Sequence, residues 1–206
     1  VALWFGGFNP GFDFANIGES YGAMPYVAFR FFPNLFGALI PLAAWWLGRE
    51  LGFSRLSAFS AGLFLVLDNA LLTHSHFVVF DVFMLFFGFA GLAAFFRARN
   101  QEYNLKWLAL SGFLIGCSIS SKWVGLVFLS AALITAAFDC VAKLIKTGTR
   151  FFQPKNYFLL LKIFFVLVVV PVVVYASVFI AHFALITKSG SGNAFLSPEF
   201  QSKNFY

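Results

Sequence analysis

The chain has 206 residues, of which 61% are hydrophobic, 21% aromatic and 11% charged, with a net charge of +6. A soluble domain is about 45–50% apolar and about 25% charged, so this composition excludes an ordinary water-soluble fold. The basic excess falls at the ends of apolar runs and in the connections between them, which argues against a nucleic-acid partner and for an all-α, polytopic membrane protein. Cys117 and Cys140 lie in or beside apolar runs without CxxC spacing and read as lone packed thiols.

Residues 1–23 mix Gly, Phe and polar residues and are expected to form an extramembrane loop close to the interface, anchored by Phe5, Phe8, Phe12 and Phe14. A span needs about 20 mostly apolar residues. Spans are expected at about 25–47 (with Arg30 near its start and Pro33 and Pro41 inside), 56–73 and 77–96. The apolar run 107–138 is too long for one crossing and divides at Ser121–Lys122 into spans of about 107–120 and 123–142. Within it, Gly112 and Gly116 form a small-xxx-small step suited to helix packing. The last stretch, 157–187, is about 46 Å long as a helix, so it must tilt, kink at Pro171 or project from the bilayer. Residues 188–206 are polar and expected outside the membrane. With no Met at its start and a polar end, the chain is expected to be an internal piece of a longer protein.

Six spans put both ends on one side of the membrane. Arg49, Arg55, Arg97, Arg99, Lys106, Lys143, Lys146, Arg150, Lys155 and Lys162 then share one face, against Arg30, Lys122, Lys188 and Lys203 on the other. The positive-inside rule makes the first face cytoplasmic, so both ends are expected to be lumenal or external.

The stretch 67–81, LDNALLTHSHFVVFD, reads as a turn where the chain leaves the bilayer and re-enters it on that non-cytoplasmic side. It carries Asp68, Asn69, His74, His76 and Asp81; two acids and two histidines are more ionisable groups than a turn requires, and such groups near the membrane are functional candidates. Arg30 and Lys122 reach the same face. They either hold an anion such as a lipid phosphate, which needs paired cations, or snorkel to headgroups. Asp68 and Asn69 either cap the helix that follows or pair with Arg30. Asp81 stands where a helix dipole favours a carboxylate. His74 and His76 have no third ligand at metal spacing, so no metal site is expected. The residues alone reach a polar site at one membrane surface, suited to an anionic lipid.

Four stretches, in order, resemble the protein O-mannosyltransferase family: FDFANIGESYGAMPYVAFRFFPNLFGAL (12–39), LDNALLTHSHFVVFDVFMLFF (67–87), SISSKWVGLVF (118–128) and HFALITKSGSGNAFLSPEFQ (182–201). The Ser-Pro-Glu-Phe-Gln ending resembles the fungal subfamily-one enzymes. The resemblance implies a GT-C-type membrane core in the endoplasmic reticulum, with residues 1–23 ending the first lumenal loop and 188–206 leading to a lumenal MIR domain. It implies transfer of mannose from dolichyl phosphate mannose to Ser or Thr hydroxyls of secretory-pathway proteins, with no bound cofactor, by a homo- or heterodimer of family members. The family's catalytic acidic pair would lie upstream of Val1, so no catalytic residue is expected in this chain.

Carried over by motif, Arg30 matches an arginine needed for the active assembly, and Lys122 matches a lysine expected near the donor phosphate. His76 would join them in orienting the donor, with Asp68, Asn69 and Asp81 positioning the cations. The chain departs from the family where Gln-Ser-Arg becomes His74-Ser75-His76, which replaces a permanent cation by an imidazole. Ser191 and Asn193 replace Pro and Asp in the last motif. The alternatives are a non-catalytic paralogue or assembly partner, which the histidine change favours, and a membrane transporter subunit. A transporter would call for ionisable groups at mid-bilayer and an inverted repeat.

Overall fold

The computed structural model describes residues 25–77, 79–147, 154–185, 197–199 and 202. The expected interfacial loop 1–23 lies outside these residues, as does all of 188–206 except 197–199 and 202. The principal helices are α1 (Tyr26–Glu50), α2 (Arg55–Val66), α3 (Asn69–His76), α4 (Asp81–Asn100), α5 (Leu105–Ser121), α6 (Leu126–Thr147) and α7 (Pro154–Leu185). A single 3₁₀ turn, Trp123–Gly125, joins α5 to α6.

Side chains that compete for backbone N–H groups start three of these helices. Ser54 accepts from Ser57 N at the head of α2, Asp68 from Ala70 N and Leu71 N at the head of α3, and Asn104 from Lys106 N at the head of α5.

The Asp68 cap changes one sequence expectation. Residues 56–73 are expected as one span; within and just beyond it α2 and α3 meet at a 56° bend across Leu67–Asp68. An N-cap residue needs non-helical backbone, and Asp68 (φ −72°, ψ 109°) ends the ladder of α2 and begins that of α3. The stretch 67–81 is therefore not simply a turn, because eight of its residues form a helix.

Four helices (α1, α4, α6 with the 3₁₀ turn, and α7) are long and apolar enough to cross a membrane, and the bent α2–α3 pair would be a fifth. Helix α5 has 17 residues, about 26 Å, a few ångströms short of the hydrocarbon thickness of about 30 Å. The chain breaks between α5 and α6 at Ser121–Lys122, where the expected boundary stood. Helix α7 continues through Pro171 for 32 residues.

Glycines set the close approaches between helices. A Cβ on Gly62 of α2 would meet the Pro41 carbonyl of α1 at 2.9 Å, and one on Gly37 of α1 would meet Ser75 Cβ of α3 at 2.5 Å. The Gly112–Gly116 step packs α5 against Val166, Val170 and Val174 of α7. Gly88 of α4 receives the ring of Phe128 from α6. The fully buried Phe95, Leu108, Ile115 and Leu167 fill the core between α4, α5 and α7.

These contacts also set helix directions. Gly37 and Glu50 of α1 meet Val82 and Arg97 of α4, so α1 and α4 are parallel. Phe128 and Asp139 of α6 meet Gly88 and Arg99, so α6 runs the same way. Ile115 and Ser118 of α5 meet Gly91 and Met84, so α5 runs opposite to α4, and α7 follows α5. Successive segments thus alternate in direction and sort the polar groups to two ends of the bundle.

Candidate functional site

The first end is built around Asp81 and Lys122. Lys122 follows the last residue of α5 in extended conformation (φ −160°, ψ 137°). Its amide donates to Ser118 O at 3.1 Å, and its carbonyl accepts from Gly125 N at 2.8 Å. Gly125 must be glycine-sized there, because a Cβ would lie 2.7 Å from the Ser118 carbonyl. One turn further in, the buried Ser118 Oγ donates to Met84 O at 2.8 Å and ties the end of α5 to the start of α4. Asp81 opens α4, and Lys122 Nζ lies 2.8 Å from its Oδ1. The Lys122 side chain is 49% exposed and that of Asp81 30%, so the ammonium is tethered yet open to a ligand. Asp81 lies in the first turn of α4, where the helix dipole also favours its charge.

Asp68 accepts from Ala70 N at 2.8 Å and Leu71 N at 3.1 Å, which makes it the cap of α3. The alternative expectation, an ion pair with Arg30, does not occur: Asp68 is in none of the ion pairs among the described residues. Asn69 is the first residue of α3, and its carbonyl accepts from Thr73 Oγ1 at 2.7 Å. Arg30 is exposed on α1, about two turns beyond Gly37 and therefore further out than the start of α4. His74 is exposed at the end of α3. His76 lines a cavity of about 410 Å³ between α1 and the α2–α3 bend, together with Asn34, Gly37, Pro41, Leu72 and Ser75. Among the described residues no three of His, Cys, Asp and Glu are grouped to hold a metal ion.

The sequence reading missed Asn34, Ser75 and Ser118. Ser118 had a legible signal, a small hydroxyl four residues before a lysine in an apolar helix, where a second helix can pack closely. Asn34 and Ser75 had none, because their shared cavity exists only after α3 folds back on α1.

The opposite end holds a second polar cluster. Arg97 pairs with Glu50 at 3.2 Å. Arg99 forms two bonds to Asp139, at 2.6 and 2.7 Å, and Tyr103 Oη donates to the same carboxylate at 2.6 Å. Lys162 Nζ donates to Tyr103 O at 2.6 Å. Glu102 and Tyr103 have φ values of 53° and 58°. Such left-handed backbone is costly outside glycine and persists where the surroundings enforce it, as these bonds do at Tyr103.

Fold and site together define a multi-pass helical membrane protein with a tethered cation at one end of the helix bundle. The chain belongs to the dolichyl-phosphate-mannose–protein mannosyltransferase family, whose model matches residues 1–187. It is 31% identical over 206 residues to dolichyl-phosphate-mannose–protein mannosyltransferase 3 of Saccharomyces cerevisiae, covering 97% of this chain and 27% of that protein. It is 30% identical to protein O-mannosyl-transferase 1 of Danio rerio, covering 98% of this chain and 28% of that protein. The fold superposes with a TM-score of 0.86 and 29% identity on the structure of the S. cerevisiae protein O-mannosyltransferase Pmt1–Pmt2 complex bound to the sugar donor, covering 97% of this chain and 28% of that chain. The chain thus spans about a quarter of the length of these relatives. Members numbered 1 and 3 of S. cerevisiae match at the same 31%, which singles out no subfamily.

Proposed function

We propose that this chain is part of the membrane core of an enzyme that transfers mannose from dolichyl phosphate mannose to Ser or Thr hydroxyls of proteins in the endoplasmic reticulum lumen. The observation that carries the reading is the Asp81–Lys122 pair, held at one end of a fold that matches a donor-bound transferase.

In such a transfer the bond from the mannose anomeric carbon to the phosphate oxygen breaks, and a bond from that carbon to the acceptor oxygen forms. The acceptor proton goes to a general base, and the phosphate leaves with increased negative charge. A pre-placed cation that strengthens its contact as that charge grows lowers the barrier. Lys122 suits the role: one N–H is directed to Asp81, and two remain for phosphate oxygens. Asp81 keeps the ammonium in one place and is the positioning residue. Asp68 and Asn69 start α3 and thereby place His76, which faces the cavity beside α1, and Arg30 extends the basic character of this end outward. No residue of this chain is proposed as that base. A second family member as partner is supported by the Pmt1–Pmt2 complex.

The test uses the full reading frame in membranes and follows transfer of mannose from dolichyl phosphate mannose to a Ser/Thr-rich peptide. Lys122→Ala and Arg30→Ala should each lower transfer, and His76→Arg should raise it by restoring the family's permanent cation. Transfer that is independent of dolichyl phosphate mannose, or unchanged by Lys122→Ala, would overturn the proposal.

A further inference from the structure

The end of the bundle remote from Lys122 contains a cavity of about 750 Å³ between the α4–α5 turn, α6 and the start of α7. Its polar wall carries Arg99, Lys143 and Lys162, and its apolar wall is formed by Phe158, Leu159 and Ile163 of α7. The carboxylate of Asp139 is already occupied by two bonds from Arg99 and one from Tyr103. Glu102 is the other acid of the lining and lies exposed, away from any ion pair among the described residues.

Lys162 carries the inference. It stands four residues inside the apolar run that begins at Phe158 and is half-buried. Its hydrogen-bond partner is the neutral carbonyl of Tyr103. Among the described residues no carboxylate lies within ion-pair distance of it. A cation within an apolar helical segment is costly unless an anion meets it, and such residues mark ligand sites. Leu159 and Phe158, three and four residues back on the same helix face, offer a hydrocarbon wall beside it. An occupant that satisfies both must bring an anionic head and an apolar chain together, and in a bilayer that describes a lipid.

We propose that this cavity binds an anionic phospholipid, with its phosphate against Lys162 and Lys143 and an acyl chain along Phe158, Leu159 and Ile163. Basic pockets between membrane helices bind anionic headgroups on the side of the membrane where basic residues collect. Arg97, Arg99, Lys106 and Lys143 collect at this end of the bundle. The site is separate from the donor site and does not depend on the mannosyl-transfer reading.

The test is native mass spectrometry of the purified full-length protein, titrated with phosphatidylserine, phosphatidylinositol or phosphatidylcholine. The anionic lipids should be retained and phosphatidylcholine should not. Lys143→Gln and Lys162→Gln should each weaken retention about fivefold, while Arg55→Gln, a basic residue outside the cavity lining, leaves it unchanged. Because Lys162 also secures the Tyr103 carbonyl, Lys162→Arg, which keeps charge and donor, should retain the lipid where Lys162→Gln loses it. Equal retention of anionic and zwitterionic lipids would overturn the proposal. So would an equal loss on Arg55→Gln, or displacement by inorganic phosphate as effective as displacement by competing phospholipid, which marks a bare anion site.

Discussion

Asp81 and Lys122 are 41 positions apart in sequence and 2.8 Å apart in space. Each sits one helical turn beyond a partner of the Ser118–Met84 hydrogen bond, so one buried contact sets the geometry of an exposed ion pair. An exposed pair contributes only about 0–1 kcal/mol to stability. A hydrogen bond to a charged group is worth about 1.5–3 kcal/mol. Lys122→Gln should therefore lower transfer about ten- to hundredfold with little change in unfolding temperature. Asp81→Asn should act more mildly and mainly through KM for the donor, because the ammonium remains but loses its tether. Steady-state kinetics beside a thermal melt separates these effects, and a melt that collapses with Lys122→Gln would reassign the pair to structure.

Gly88 is the position where α4 admits α6. A Cβ there would enter the Phe128 ring. Alanine is normally the better helix former by about 0.8–1 kcal/mol, but overpacking costs about 1–3 kcal/mol, so steric cost should win and Gly88→Ala should be destabilising. Phe128→Leu should recover part of the loss in the double variant, as measured by unfolding in detergent. An unchanged or raised melting temperature for Gly88→Ala alone would contradict the packing described.

Much of this architecture is legible in the sequence. The fold class followed from composition, and the break at Ser121–Lys122 from the length of one apolar run. The Gly112–Gly116 step announced a close helix contact, which α7 supplies. The bend at Asp68 was not legible, because an acid after an apolar run reads equally as the end of a span or as a cap within a bent one. The Asp81–Lys122 pair was beyond local reasoning, since both residues had satisfactory separate roles and only the packing of α4 on α5 joins them. Asp139 was passed over for the same reason: near the end of an apolar run it looks like a solvated acid until Arg99 and Tyr103 are placed beside it.

Tyr103 gives a pH prediction of definite sign. Burial, followed by the hydrogen bond to Asp139 and the charge of that carboxylate, pushes its ionisation well above the ordinary tyrosine range. An unfolded tyrosine ionises near about 10. With the folded value raised, this hydroxyl contributes its full stability below about pH 10 and loses it as pH climbs toward the folded value. Tyr103→Phe should cost about 1–3 kcal/mol, a deficit that stays constant between about pH 6 and 9 and narrows above about pH 10. Melts of both proteins across that range provide the check, and a deficit that already narrows between about pH 7 and 9 would rule out the raised ionisation.

The two ends of the bundle should face opposite compartments. Among the described residues Arg49, Arg55, Arg97, Arg99, Lys106, Lys143, Lys146 and Lys162 gather toward one end, while Arg30 and Lys122 stand at the other. Retention of Lys and Arg on the cytoplasmic side is a bias of insertion, strongest in short connections such as 51–54 and 101–104. In a background with Cys117 and Cys140 changed to Ser, Gln101→Cys should react with an impermeant maleimide on sealed microsomes whose cytoplasmic face is outward. Phe80→Cys, at the exposed start of α4, should react only after the membrane is opened. That outcome places Asp81 and Lys122 on the lumenal side, where acceptor proteins arrive. The reverse labelling would set the cation pair on the wrong side for lumenal transfer, and the mannosyl-transfer proposal would fall with it.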